Sequence, residues 1–195
     1  MFRLTPVVRN LIIINVIVFI FQTISDDVLT QYLALYNQES GYFKPYQLFT
    51  YMFAHGSFSH IFFNMLSLAF MGPILEAFWG QKKFLLYYLI TGIGAGLFNF
   101  IVEMFIGSGP GVMVGASGAI YGLLMAFGMI FPNMEVMLLI PPIPIKAKYL
   151  VFLLGGLTFL MDRSGQVAHF AHLGGVVVGF IVIKAWRSQG GGNYY

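Results

Sequence analysis

The sequence contains no cysteine, and only 9% of its 195 residues are charged. Without thiols there is no disulfide framework, no thiolate metal site and no cysteine nucleophile. The scarcity of charge excludes more. Soluble domains carry about a quarter charged residues, and a large part of any globule's surface stays in contact with its solvent. A chain that is 58% hydrophobic cannot present such a surface to water; its solvent is lipid. The net charge of +3 is too small to signal a nucleic-acid partner, and none is expected. No internal repeat and no second domain are visible.

What the chain has instead is a succession of apolar runs, at about 8–23, 60–79, 84–105, 114–131, 147–161 and 169–186. A transmembrane helix needs about 20 such residues. The expectation is an all-α membrane protein of six transmembrane helices, forming one domain over 1–187, with 188–195 (ending GGGNYY) as a flexible tail. The first run follows Arg3 and Arg9, but no small-residue cleavage site clearly ends it, so it is read as a retained helix. A glycine-rich stretch, GSGPG at 107–111, separates the third and fourth runs, and PPIPIK at 141–146 separates the fourth and fifth.

Basic residues set the orientation. With six spans, one side carries Arg3, Arg9, Lys82, Lys83, Lys146, Lys148, Lys184 and Arg187, and the other only Lys44 and Arg163. Both termini are therefore expected in the cytoplasm, and the even-numbered helices start at the outer face. Polar residues inside a membrane are costly and mark function. Here they are His60 and Asn64 in span two, Ser117 in span four, and His169 and His172 in span six, all near the starts of even-numbered helices. The orientation rule thus places them at one depth, although it was not built from them.

Ser117 lies in VGASGAIYG, and span six opens with AHLGGVVVG. Small residues let membrane helices approach closely, so these two faces can bring Ser117 beside His172. A serine hydroxyl needs an adjacent base to act as a nucleophile, and a neutral imidazole titrates in the right range. His60 and Asn64, one turn apart, face the same way and offer donors for a tetrahedral oxyanion, as do the first amides of span four. Tyr121, one turn below Ser117, is placed to brace an imidazole by stacking.

The strings HGSFSHIFFN (55–64), GASG (115–118) and AHLGG (171–175), in this order and on these spans, resemble the rhomboid intramembrane proteases. The resemblance covers essentially all six spans. It implies a catalytic dyad of Ser117 and His172 with no aspartate and no cofactor. It also implies oxyanion donors at His60 and Asn64, Gly115 and the Ser117 backbone in the same hole, and Tyr121 packed on the catalytic histidine. Where family members often carry Trp-Arg, this chain has Tyr46-Gln47. The implied substrates are transmembrane segments of single-pass or other membrane proteins, cut in the bilayer after a small residue. A bacterial plasma membrane is the expected location. Access past span five is expected through the Gly155-Gly156 pair.

Blander readings attach to each residue. Ser117 alone reads as a packing serine and His172 alone as a buried histidine bonded to a carbonyl; the ordered set argues against both. His55 is expected to tighten the loop before span two by hydrogen bonding, and His169 to cap or solvate its helix entrance. A metal site of His60, His169 and His172 is disfavoured, because no carboxylate or cysteine accompanies them. A catalytically silent, client-binding relative would be expected to lack the serine or the histidine. A transporter would show intramembrane charges or internal symmetry.

Overall fold

The computed structural model describes residues 3–106, 111–137, 142–161 and 166–189, with 157–161, 166–168 and 189 described through their backbone alone. Most of the glycine-rich stretch, Arg163 and the tail beyond 189 lie outside the described residues. In chain order, α1 (Pro6–Ile24) and the short α2 (Val28–Leu33) precede β1 (Leu35–Tyr36), a 3-10 turn (Gln38–Ser40), α3 (Gln47–Thr50) and a second 3-10 turn (Tyr51–Phe53). Then come α4 (Phe58–Trp79), α5 (Gln81–Ile106), β2 (Val112–Met113), α6 (Ser117–Ile130), β3 (Glu135–Met137), β4 (Pro144–Lys146), α7 (Ala147–Met161) and α8 (Gln166–Gln189). The protein is mostly helical. Among the described residues, four helices are long and apolar enough to cross a membrane: α1, α4, α5 and the His169–Ser188 part of α8. Two shorter apolar helices, Ser117–Ile130 and Ala147–Gly156, accompany them.

Short strands and one helix end add detail to the expected runs. Val112 and Met113, just before the expected fourth run, pair antiparallel with Tyr36 and Leu35. A second small hairpin sets Glu135 opposite Lys146 and Met137 opposite Pro144. At the other end of the chain, α8 continues through Ser188 and Gln189, so two residues expected in the tail are helical.

The helix ends follow local chemistry. Pro6 opens α1, where its missing N–H costs nothing. Ser57 caps α4, its hydroxyl accepting the His60 amide at 3.2 Å. Gly80, at φ +78°, ends α4 and lets α5 start one residue later. The start of α1 is capped from a distance. The buried carboxylate of Glu76, near the end of α4, accepts the Thr5 hydroxyl at 2.5 Å and the Val7 and Val8 amides at 3.1 and 2.9 Å. A carboxylate there also meets the positive end of the helix dipole.

α6 occupies the centre, packed against α4, α5, α7 and α8, with ten of its 14 residues buried. At about 1.5 Å per residue it is roughly 21 Å long, less than the hydrocarbon layer of about 30 Å. Before Ser117 the backbone is not helical, and the Gly115 amide donates to the Tyr51 carbonyl at 2.9 Å.

Glycines set how closely the central helices approach. A Cβ at Gly175 of α8 would collide with the Gly118 carbonyl oxygen of α6. One at Gly179 would lie 2.6 Å from the Tyr87 hydroxyl and 3.1 Å from Gly122 Cα. Gly156 on α7 has open space instead. Gly175→Ala is expected to destabilise the fold by about 1–3 kcal/mol through overpacking, read as a lowered melting temperature in detergent. Gly156→Ala should melt like the parent. Equal melting of all three proteins would show that the α6–α8 contact is not tight.

Candidate active site

Ser117 is the first residue of α6 and His172 lies in the second turn of α8. The close α6–α8 approach puts the Ser117 Oγ 2.9 Å from the His172 Nε2, a hydrogen-bond distance. The Tyr121 ring stacks on the imidazole, with centroids 4.3 Å apart and planes 22° apart. The Tyr121 hydroxyl donates to the Leu154 carbonyl of α7 at 3.1 Å. One aromatic side chain thus touches the His172 ring on one side and fastens a neighbouring helix on the other. Ser117 and His172 are half-buried.

His60 and Asn64 share a face of α4, as their spacing predicts. The Asn64 amide donates to the His60 carbonyl at 3.0 Å, which uses one of its two N–H groups. The His60 ring lies against Gly115: a Cβ there would sit 2.7 Å from both His60 Cε1 and Nε2, and 3.8 Å from the Ser117 Oγ. Gly115 is at φ +120°, a conformation that a side chain would strain. Its N–H is bound to Tyr51, so Gly115 contributes space beside Ser117 rather than a donor. His60, Gly115 and Ser117 are therefore neighbours, and the first amides of α6 open onto the same place with the positive end of its dipole.

His55 tightens the loop before α4 by hydrogen bonding, as expected. Its backbone, not its ring, ties the loop: its N–H donates to Gln22 Oε1 at 3.0 Å and its carbonyl accepts from Gln22 Nε2 at 3.3 Å. The ring is buried edge-on to His60, centroids 5.1 Å apart. In Tyr46-Gln47 the glutamine anchors the loop. Buried Gln47 accepts the Lys44 amide at 3.0 Å and donates to the Tyr42 carbonyl at 3.3 Å, while Tyr46 stays exposed. Sequence reasoning passed over Tyr51 and Gln22. Tyr51 holds the Gly115 amide through its carbonyl and reaches the Gly92 carbonyl through its hydroxyl at 2.6 Å. The signal available for both was a polar side chain among apolar neighbours. Among the described residues, no three His, Cys, Asp or Glu side chains gather as a metal site.

Residues 42–188 match the Rhomboid domain. The chain belongs to the Rhomboid family. Among relatives, this rhomboid is 28% identical to YdcA of Bacillus subtilis over 190 residues, which covers 92% of this chain and 88% of YdcA. It is 33% identical to RHOMBOID-like protein 1 of Arabidopsis thaliana over 139 residues, 71% of this chain and 34% of that protein. It is 30% identical to Rhomboid protease GluP of Bacillus subtilis over 140 residues, 72% of this chain and 26% of GluP. The chain thus spans about a third or less of the Arabidopsis protein and GluP, and most of YdcA. With its long apolar helices, this rhomboid is an integral membrane protein.

Burial, and then the neighbouring His60, pull His55 from its ordinary 6.5 down to about 3. The unfolded chain therefore takes up this proton first as pH falls. The stability contributed by neutral His55 is complete above about 6.5 and is lost progressively toward about 3. Across that window the parent should lose melting temperature more steeply than His55→Phe. Parallel slopes would show that His55 is not held neutral by the fold.

Proposed function

We propose that this rhomboid is a serine endopeptidase that cuts membrane-embedded segments of other membrane proteins with Ser117 as nucleophile and His172 as base. The observation that carries the reading is the 2.9 Å approach of Ser117 Oγ to His172 Nε2, on helices that glycines hold together. His172 takes the Oγ proton as the oxygen attacks the scissile carbonyl carbon. The resulting oxyanion is met by the His60 ring, the second N–H of Asn64 and the first-turn amides of α6, with Gly115 leaving room for it. The C–N bond breaks as His172 returns the proton to the leaving amine. A water then attacks the acyl ester with His172 again as base, releasing the acid and restoring Ser117. Tyr121 keeps the imidazole in plane throughout.

The same reading makes the two shorter apolar helices spans of a six-helix bundle, with both termini on the cytoplasmic side and one domain over 1–187. A central helix shorter than the others supports it, since it recesses the dyad where a membrane segment can reach it. The substrate segment must unwind locally, because a helical peptide bond is shielded by its own turn. A bacterial plasma membrane fits a chain that matches the bacterial YdcA along most of both lengths.

A fluorophosphonate probe tests the dyad without knowledge of the substrate. Parent protein in mild detergent should label, Ser117→Ala should not, and His172→Ala should label at least about a thousandfold more slowly. A folded parent that stays unlabelled would shift the reading to a silent, client-binding rhomboid. Access past α7 has its own test. The chain has no cysteine, so one introduced pair can lock α7 to α4. Oxidation should abolish cleavage of a membrane substrate while probe labelling persists; full cleavage when locked would refute this route.

A further inference from the structure

The turn after α1 is strained. Asp26 and Asp27 both sit in the left-handed region, at φ +48° and +62°. That conformation costs free energy at a residue with a Cβ and persists only where the surroundings hold it. What this turn secures is a chain of contacts. It folds α2 back beside the end of α1, where the Thr30 hydroxyl oxygen accepts from Gln22 Nε2 at 2.7 Å. The same hydroxyl donates to Asp27 Oδ1 at 3.2 Å. The buried Gln22 side chain also bonds to both main-chain groups of His55. Its Oε1 accepts the His55 N–H at 3.0 Å, and its Nε2 donates to the His55 carbonyl at 3.3 Å. The His55 ring meets the His60 ring edge-on, centroids 5.1 Å apart. His60 in turn lies against Gly115, beside Ser117.

We infer that Gln22 is a positioning residue for the His60 donor, acting through His55. The inference rests on the serine-protease reading above, in which the His60 ring meets the oxyanion. The N–H and the carbonyl of His55 belong to the two peptide planes that flank its Cα. A residue has only two soft main-chain angles, and one side-chain amide that holds both planes fixes both. The direction in which the His55 ring leaves the backbone follows from them. Leucine would fill the place of Gln22 in an apolar bundle, but only a primary amide presents an acceptor and two donors at one tip. Both donors are used, one on His55 and one on Thr30. Turning the amide over would set its oxygen against the His55 carbonyl and its nitrogen against the His55 N–H. Oxyanion donors act by being in place before the charge develops. A displaced His60 ring therefore slows attack and leaves ground-state binding as it was. Gln22 lies outside residues 42–188, which match the Rhomboid domain, so α1 supplies this support from beyond the matched segment.

A fluorophosphonate reads this role, because its phosphoryl oxygen gains negative charge as Ser117 Oγ attacks phosphorus and fluoride leaves. Labelling of the full chain in mild detergent is followed against probe concentration, which gives a rate at saturation and a half-saturating concentration. Gln22→Leu should lower the rate about tenfold, part of the roughly hundredfold that loss of a donor costs. Its half-saturating concentration should equal the parent's. Thr30→Val replaces only the hydroxyl beside Gln22 by a methyl. It should lower the rate about threefold, and it carries the test if Gln22→Leu does not fold. Thr23→Ala, exposed on α1 next to Gln22, should match the parent. In a His60→Ala background neither Gln22→Leu nor Thr30→Val should lower the rate further, because the group through which they act is gone. Effects that multiply with His60→Ala would overturn the role, as would a loss seen in the half-saturating concentration instead. So would a folded Gln22→Leu or Thr30→Val that labels at the parent's rate. Each of these outcomes leaves Ser117 and His172 as the dyad. A parent that does not label at all would instead overturn the serine-protease reading on which the role rests.

Discussion

The pairing of Ser117 with His172 depends on backbone meeting backbone between α6 and α8. At Gly118 and Gly175, and again at Gly122 and Gly179, no side chain separates the two helices. Lipid tails are as apolar as leucine, so membrane helices are not driven together by escape from water. Close packing and hydrogen bonds must supply the cohesion. Glycine gives the first. Here it also sets the distance across which Ser117 and His172 meet.

Hydrogen bonds supply the second, and most of those that matter run from side chains to main-chain carbonyls or amides of another element. Tyr51 reaches Gly92, Tyr87 reaches the carbonyl of Gly122 at 2.8 Å, and Tyr121 reaches Leu154. Glu76 closes the start of α1 and Arg187 the end of α6. Each joins two helices or a loop and a helix while satisfying a polar group that lipid could not. The loop before α4 is held in the same way, by Gln22 on the backbone of His55.

Much of the site was legible in the sequence because its logic is periodic. His60 and Asn64 lie one turn apart, as do Ser117 and Tyr121, so shared faces follow from spacing alone. The small residues around Ser117 and after His172 pointed to the contact that joins them. Hydropathy was less informative about edges. It cannot distinguish Met113, buried in a strand pair against β1, from residues facing lipid. Nor does it show that Gly115 spends its amide on Tyr51, or that His55 acts through its main chain; both depend on where a distant segment returns. The Glu76 cap on α1 spans 68 to 71 residues of sequence and has no local signature.

The Tyr121 side chain carries a consequence for how the protein tolerates disturbance. Its ring lies on His172 and its hydroxyl holds Leu154, so the alignment of the imidazole and the seating of α7 share one rigid part. A phenol is stiff: tilting the ring to follow a displaced helix also tilts the surface on which the imidazole rests. Loosening at the bundle's edge is therefore transmitted to its centre, and the geometry of the dyad serves as a gauge of whether the surrounding helices are in place.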